Sequence, residues 1–207
     1  MVLLPLLLLV GMSGLQIAAQ RRDPLEYIRI LESAERVKKL QVPRVVEALG
    51  VKPGDKVVDL GSGSGLFTRP LARLAGPDGV VYAVDIDRDL LEHVEEVARE
   101  QGLRNIRTVL ATEFDPRIPE RVDLVLICDT LHQISDPGVY LRGLVRYLKP
   151  GGRVAVIDYE DEWPERFESV KYTVEDLDRW MAAAGLHLET RFDFLEGNFF
   201  RIYREGE

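Results

Sequence analysis

The sequence predicts an α/β domain built on a doubly wound, mostly parallel seven-stranded sheet with an antiparallel C-terminal strand. Two observations support this prediction. Short apolar stretches alternate with amphipathic segments of helix length, and the last two stretches flank the turn Glu196-Gly197-Asn198. Near-continuous apolar strands are typical of a parallel sheet with helices on both faces, whereas a hairpin requires an antiparallel pair.

The predicted elements follow one another in order along the chain. A helix begins at Asp23-Pro24 with an aspartate cap and runs to about residue 38, and a short helix spans residues 43–50. The predicted strands are residues 56–60, 80–84, 106–110, 122–127, 153–158, 186–195 and 199–203. Further helices lie between them, ending near residues 76, 102, 148 and 184. We expect the first helix either to lie across the ligand cleft as a lid or to act as a spacer from a membrane.

The composition narrows the classes of partner. The chain has 207 residues, 46% of them hydrophobic, and its 35 acidic and 27 basic residues give a net charge of −8. The electric field of a protein with this negative charge repels phosphate backbones, so we expect no nucleic-acid partner. The single cysteine excludes an internal disulfide, and the three histidines lack ligand spacing, so no metal site is predicted.

The N-terminal residues form a separate segment, which divides the chain into residues 1–22 and a domain of residues 23–207. Residues 1–19 carry no charge and are followed by Arg21-Arg22. The segment is interpreted as a signal, as a membrane anchor, or as the result of a start misplaced ahead of Met12. The arginine pair favours the cytoplasm, or the cytoplasmic face of a membrane, over export. Association with a membrane through residues 1–22 therefore stays open.

Two features mark a ligand site at the carboxyl ends of the first two strands. The first strand leads into Gly61, Gly63 and Gly65, and glycines let a backbone approach a ligand closely. Leu66 stands where a dinucleotide fingerprint needs a glycine, and glycines at strand ends often serve only the turn. Asp85 ends the second strand, where a carboxylate can accept hydrogen bonds from ribose hydroxyls, while Asp87 is placed to cap the next helix.

Three stretches give a resemblance to a known family. Residues 57–65 (VVDLGSGSG) resemble motif I of class I S-adenosylmethionine-dependent methyltransferases, residues 81–86 their second motif, and residues 148–152 their turn before strand five. The resemblance implies a Rossmann-like methyltransferase fold and S-adenosylmethionine as cofactor. Residues 111–116 and 129–132 further resemble a bacterial subgroup of small methyltransferases with an apolar N-terminus, for which no particular substrate is implied.

The resemblance also implies roles for individual residues. Asp59 would orient the glycine loop and approach the methionine amino group, and Asp85 would hold the ribose. The remaining positions implied to contact the cofactor are Gly61, Ser62, Gly63, Gly65, Ile86, Thr112, Glu113 and Cys128. Thr112 departs from the family, which usually has an acidic residue facing adenine there. Glu113, Asp115 or a backbone carbonyl would then take its place.

The candidate residues for contact with the methyl acceptor are Asp129 and His132, which follow the fourth strand. Methyl transfer from a sulfonium mainly needs alignment and desolvation, and a base is required only for a protonated nucleophile. Asp129 is the first candidate to contact an amine or hydroxyl acceptor and His132 is the second. An alternative interpretation has equal weight: Asp129 contacts the methionine amino group, and His132 is a packed residue. Cys128 is better interpreted as a small buried hydrophobe than as a nucleophile.

The resulting expectation is a methyltransferase that acts on a small molecule or a protein side chain, with a small-molecule acceptor favoured. The acidic and aromatic residues 159–168 would either select a cationic acceptor or form a solvated loop. Two alternatives stay open. One is a membrane-tethered cofactor-binding protein without chemistry. The other is a nicotinamide-dependent oxidoreductase, which Leu66 and the C-terminal hairpin disfavour. The sequence does not predict an oligomeric state.

Overall fold

The strands form one sheet in the order β3-β2-β1-β4-β5-β7-β6, as seen in a computed structural model that describes residues 23–160 and 163–206. The strands are β1 (Lys56–Leu60), β2 (Val80–Asp85), β3 (Ile106–Leu110), β4 (Val122–Cys128), β5 (Leu148–Tyr159), β6 (Leu186–Phe192) and β7 (Asn198–Glu205). Only β7 runs antiparallel to its neighbours, inserted between β5 and β6. The predicted fold class is therefore confirmed.

Helices cover both faces of the sheet and create two cores. They are α1 (Pro24–Leu31), α2 (Ala34–Lys39), α3 (Val42–Ala48), α4 (Thr68–Ala75), α5 (Arg88–Glu100), α6 (Pro137–Leu144) and α7 (Val174–Ala183). Side chains of α3, α4 and α5 pack on one face of the sheet, and those of α6 and α7 pack on the other. The near-continuous apolar strands follow from this arrangement, because both of their faces are buried.

The crossover position of the sheet lies at β1, which pairs in parallel with β2 on one side and with β4 on the other. Chain order reverses there, because β2 and β3 extend the sheet in one direction and β4 and β5 in the other. In open α/β sheets, a crevice for ligands forms at this point, outside the carboxyl ends of the strands. The loops that follow β1, β2 and β4 therefore border the candidate site.

Three predicted elements differ from the structure. The first helix divides into α1 and α2, because the Ser33 hydroxyl caps α2 by accepting from the Arg36 N–H at 3.3 Å. The turn predicted at residues 149–152 is incorporated into the long strand β5, and the strand predicted at residues 186–195 ends at Phe192. The segment of residues 1–22 lies outside the described residues. Within the described ranges, no helix combines the length and apolar character needed to cross a bilayer.

Candidate active site

A cavity of about 360 Å³ opens at the carboxyl ends of β1, β2 and β4. This volume lies within the range of roughly 300–1,000 Å³ that is typical of small-molecule sites. The lid side of the cavity is formed by Tyr27 and Leu31 of α1 and Arg36 of α2. The predicted residues on its wall are Gly61, Gly63, Asp85, Ile86, Thr112, Glu113, Cys128 and Asp129. The first helical segment thus lies across the cleft, as the lid alternative expected.

The glycine loop after β1 presents backbone to this cavity. Gly61 has φ +72°, and a Cβ atom at this position would lie 2.2 Å from the Thr130 hydroxyl oxygen, so only glycine fits. Gly63 has φ +53°, and its N–H donates to the Asp85 carboxylate at 2.8 Å. The loop of β1 is therefore fastened to the tip of β2 and leaves space where side chains would otherwise project.

Asp85 is the acidic group at the centre of this wall. Its second oxygen accepts from the Asp87 N–H at 2.9 Å, and burial raises the pKa of the Asp85 carboxyl. A carboxylate offers about four acceptor positions, so two remain for a ligand. Asp87 caps α5 by accepting from the Asp89 N–H at 2.9 Å, as predicted. Helix capping thus falls to Asp87, and Asp85 keeps acceptor positions free beside the cavity.

Asp59, Ser62 and Gly65 do not lie on the cavity wall. The Asp59 side chain turns into the protein, where it accepts from the Thr68 hydroxyl at 2.6 Å, and burial raises its pKa to about 6. One oxygen of the Asp59 carboxylate thus joins β1 to α4, and the expected contact with the methionine amino group stays a prediction. Ser62 is buried, and Gly65 packs near Val94 of α5.

The rim beyond β2 and β3 carries Ile86, Thr112 and Glu113. Ile86 is exposed and flanks the cavity opening. The Thr112 hydroxyl accepts from the Asp115 N–H at 3.0 Å and closes a turn. Asp115 is not an alternative contact for adenine, because its carboxylate accepts from Arg146 and from the Tyr147 hydroxyl, each at 2.7 Å, away from the cavity wall. Glu113 is the acidic side chain that remains on the rim.

Asp129 follows β4 and faces the lid helix. It is a non-glycine residue at φ +51°, and its carboxylate accepts from Arg36 Nη2 at 2.6 Å. Its other oxygen, Oδ1, is buried and has no hydrogen-bond partner among the described residues. Burial raises the pKa of Asp129, and the guanidinium of Arg36 opposes that shift. Arg36 was missed from the sequence, because nothing marks one cation on a charged helix as the partner of a strand tip 93 residues away.

His132 lies behind this wall rather than on it. The ring is buried, its Nδ1 donates to the Asp158 carboxylate at 2.9 Å, and Nε2 has no partner among the described residues. Asp158 also accepts from the Tyr172 hydroxyl at 3.0 Å. The rings of Tyr159, Trp163 and Phe167 surround the imidazole, with Phe167 nearest at 4.3 Å between ring centroids. Sequence reasoning missed Asp158 and Tyr172, which have no motif of their own.

A second cavity of about 570 Å³ adjoins the first. It is lined by His132 and by the aromatic side chains Phe167, Tyr172 and Trp180. Residues 133–135 border both cavities. The two spaces therefore lie side by side beyond β4, with the imidazole on the side of the second.

Cys128 lies on the wall of the first cavity as a buried side chain. Burial raises the pKa of its thiol well above the ordinary value, as is typical of a cysteine that packs as a small apolar side chain. Over residues 23–160 and 163–206, no three His, Cys, Asp or Glu side chains come together as a metal site would require.

Comparison with known proteins assigns the chain to a family. Residues 51–192 match a family model described as a methyltransferase domain. The chain belongs to this methyltransferase family. A solved S-adenosylmethionine-dependent methyltransferase from Aquifex aeolicus superposes with a TM-score of 0.78 at 25% identity, covering 89% of this chain and 99% of that protein.

Curated relatives carry the same assignment. The ubiquinone/menaquinone biosynthesis C-methyltransferase UbiE of Vibrio parahaemolyticus is 29% identical over 161 residues, which is 77% of this chain and 58% of that protein. The UbiE of Pasteurella multocida is 36% identical over 116 residues, or 55% of this chain and 43% of that protein. The chain thus spans about half the length of these relatives.

The methyltransferase is an enzyme that uses S-adenosylmethionine, and the cavity residues fit this cofactor. Gly61 and Gly63 leave room beside the strand tips, and Asp85 keeps acceptor positions free. Asp129 has a buried oxygen that finds no partner in the described part of the chain. The family match sets aside the nicotinamide-dependent oxidoreductase. When bound, the cofactor supplies an electrophilic methyl group on a sulfonium.

Proposed function

We propose that this methyltransferase transfers the methyl group to a ring carbon of a small phenolic or hydroquinone acceptor. The single observation that carries the proposal is the aromatic-lined cavity beside the cofactor cavity. The names of the UbiE relatives, which specify C-methylation in quinone biosynthesis, support the same chemistry. Planar rings pack well against Phe167, Tyr172 and Trp180, because aromatic pairs gain from offset or edge-to-face contact.

The cofactor would lie along the carboxyl edge of the sheet. In this proposal, Asp85 holds the ribose hydroxyls and the backbone of Gly61 and Gly63 passes beside the ribose and methionine. Ile86, Thr112 and Glu113 border the adenine, and Cys128 and Asp129 border the methionine. Because α1 and α2 contribute to this cavity, the proposed domain begins at residue 23, ahead of the family match. The interpretation of residues 1–22 as a signal or anchor stays a prediction.

The charge beside the second cavity favours an anionic acceptor over a cationic one. Arg166, Lys171 and Asp176 line it, but Lys171 is paired with Glu168 and Asp176 with Arg179. The guanidinium of Arg166 lies 4.5 Å from the centre of the Phe167 ring, where it would stabilise a phenolate and repel an ammonium. Of the two ideas about residues 159–168, selection of a cationic acceptor is therefore not the one we propose.

His132 is the proposed base. The ring carbon attacks the methyl group, the bond between methyl and sulfur breaks, and S-adenosylhomocysteine leaves. The attacked carbon must then lose its proton to restore aromaticity. Because Asp158 fixes the proton of His132 on Nδ1, the Nε2 lone pair is the acceptor for that proton. Asp129, the other predicted candidate, is engaged by Arg36 and is assigned to the cofactor side.

The test uses S-adenosylmethionine labelled in its methyl group and a panel of hydroquinones, catechols and amines. We expect label in a hydroquinone product whose new methyl group is attached to a ring carbon by NMR. Phe167→Leu should raise the KM for the acceptor several-fold while S-adenosylhomocysteine still binds. Phe114→Leu is the matched control, since Phe114 is exposed and lies on neither cavity wall. Products methylated only on oxygen or nitrogen would overturn the proposal.

A further inference from the structure

A cluster of charged side chains lies behind the glycine loop, at the end of the lid helix α1. We propose that Glu32, Arg69 and His93 form a latch that holds α1 closed over the first cavity and that tightens when His93 is protonated. The latch thereby sets how fast the methyl donor enters and leaves. This inference concerns passage into the first cavity, so it does not depend on which acceptor is methylated.

Glu32 joins the end of α1 to the body of the domain. It is the residue that follows the last turn of α1, and its carboxylate accepts from Arg69 Nη2 of α4 at 2.8 Å. The Glu32 and Arg69 side chains are 33% and 15% exposed, so the pair is partly shielded from solvent. Salt screens a partly buried pair less than an exposed one. The contact is therefore a real restraint on the position of α1.

Arg69 also contacts the glycine loop. Its Nη1 donates to the Ser64 carbonyl at 2.8 Å, while Nη2 holds Glu32. One planar guanidinium therefore links the loop that borders the cavity to the end of α1. Close to this link, the Leu31 side chain lies 3.0 Å from the position that a Cβ atom on Gly63 would take. Because α1 lies directly against the loop, a donor passes between them only when the two separate.

His93 is the member of the cluster whose charge changes near neutral pH. It lies on α5, and its Nε2 is 3.8 Å from the Glu32 carboxylate, which is too far for a hydrogen bond. This nitrogen is buried, and no hydrogen-bond partner for it is found in residues 23–160 and 163–206. A protonated imidazole donates from both nitrogens, so protonation provides an N–H and a positive charge for Glu32. The end of α1 is then held from α4 and α5 together.

The charges around His93 favour its protonated form on balance. Glu32 faces it from the end of α1, and Arg69 belongs to the same cluster from α4. On its own helix, Asp89 and Glu96 lie one turn before and one turn after it. Three carboxylates and one guanidinium therefore lie near the imidazole. Of the three carboxylates, that of Glu32 is the one that protonated His93 ties to α1.

The lid is divided so that α1 can move without α2. The two helices are joined at Ser33, which has an extended backbone with ψ 142°. Beyond this joint, α2 has its own attachment, the bond from Arg36 to Asp129. Opening of the latch should consequently release α1, which contributes Tyr27 and Leu31 to the cavity wall, and leave α2 in place.

The test measures how fast S-adenosylhomocysteine binds to and leaves the immobilised full chain, by surface plasmon resonance. In Glu32→Gln, the association and dissociation rates should both rise by about fivefold, because α1 opens more often with and without ligand. The dissociation constant should change by less than about twofold, because the latch holds the free and the bound form alike. Glu26→Gln, at an exposed position of α1, removes the same charge and should change neither rate.

A double variant shows whether the two partners act through one bond. Combining Glu32→Gln with Arg69→Gln should raise the rates no further than Arg69→Gln alone. A rise in the dissociation rate alone for Glu32→Gln would mean that Glu32 contacts the ligand instead of holding the lid. That result, or unchanged rates, would overturn the latch. If the hydroquinone assay fails while these rate changes persist, the proposed acceptor is wrong and the latch stands.

The pH dependence tests the part of His93. As the pH falls from about 8 to about 5.5, both rates of the unmodified chain should decrease relative to those of His93→Gln, since only the former gains the additional bond. His187→Gln, at an exposed position of β6, is the control and should follow the unmodified chain. A constant ratio between the unmodified chain and His93→Gln over this range would overturn the tightening by protonation.

Discussion

The carboxyl edge of the sheet has two halves that are built differently. At β1 and β2, polar groups find partners nearby in the sequence, as Asp59 does in Thr68 nine residues later and Asp85 in Gly63. At the tip of β4, by contrast, Asp129 is paired with Arg36 across 93 residues. The first half is therefore encoded by local pattern, whereas the second depends on the completed fold.

The two halves also differ in how their carboxylates are stabilised. Asp59 and Asp85 accept from a hydroxyl and from backbone N–H groups, and no cationic side chain of residues 23–160 and 163–206 is bonded to either of them. Asp129 contacts a guanidinium, and Asp158 contacts an imidazole and a phenol. Removing one partner should therefore lower the free energy of unfolding more in the β4–β5 half, since a buried charged group is then left without its partner.

The largest expected effect comes from His132→Ala in the β4–β5 half. The substitution removes the Nδ1 donor of the fully buried Asp158 and empties a space among three aromatic rings. We expect the free energy of unfolding to fall by about 3–5 kcal/mol. Urea denaturation followed by circular dichroism measures this change.

His187→Ala is the matched control, because His187 is exposed on β6. Its effect should stay within about 0.5 kcal/mol. If both alanine variants lose equally little stability, the bond between His132 and Asp158 does not anchor this half, and the contrast between the two halves fails.

Sequence reasoning succeeded where the determinants are local. Gly61, Gly63 and Asp85 were predicted from neighbouring residues to border the ligand site, and the structure places them on the cavity wall. The predicted Asp87 cap is also confirmed, whereas Gly65 packs near α5 instead. The strand positions were also predicted from local pattern, because a strand that is buried on both faces is an apolar run in the sequence. The ends of β5 and β6 shifted, and the first helix divided into two.

Sequence reasoning is least informative where a side chain has two alternative partners. The residue type of Asp59 suits a contact with the cofactor, but the Thr68 hydroxyl offers a buried partner nine residues away. Asp115 was an alternative contact for adenine, yet Arg146 and Tyr147 engage its carboxylate. Such competition is decided by tertiary neighbours, which one sequence does not display. The same limit explains why Arg36 and Asp158 were missed.

The second prediction concerns pH and the carboxylate of Asp59 in the β1–β2 half. Burial raises its pKa from 3.8 to about 6. Because the folded state binds this proton more tightly than the unfolded state, the group lowers the free energy of unfolding as the pH rises from about 4 to about 6. Asp59→Asn removes this loss while its amide oxygen still accepts from Thr68.

We therefore expect the stability of Asp59→Asn, relative to the unmodified chain, to increase between pH 4 and pH 7. The displacement of the pKa corresponds to at most about 3 kcal/mol. Urea denaturation at each pH measures the difference. Asp78→Asn, at an exposed turn, is the control and should keep the pH dependence of the unmodified chain. A constant difference between Asp59→Asn and the unmodified chain would show that Asp59 is ionised without cost in the folded state.

The third prediction, which has the smallest expected effect, distinguishes an aspartate that binds the ligand from one that caps a helix. Asp85→Ala should weaken S-adenosylhomocysteine binding by about 1–3 kcal/mol, or roughly 5- to 150-fold, because ligand hydroxyls lose their acceptor. Asp136→Ala is the control, since Asp136 caps α6 by accepting from the Val139 N–H at 2.9 Å and lines neither cavity. It should lower stability by about 1 kcal/mol and leave the affinity unchanged. If titration calorimetry gives equal affinities for the two variants, the tip of β2 is fastened to the glycine loop for folding alone, and donor binding depends on the β4 side.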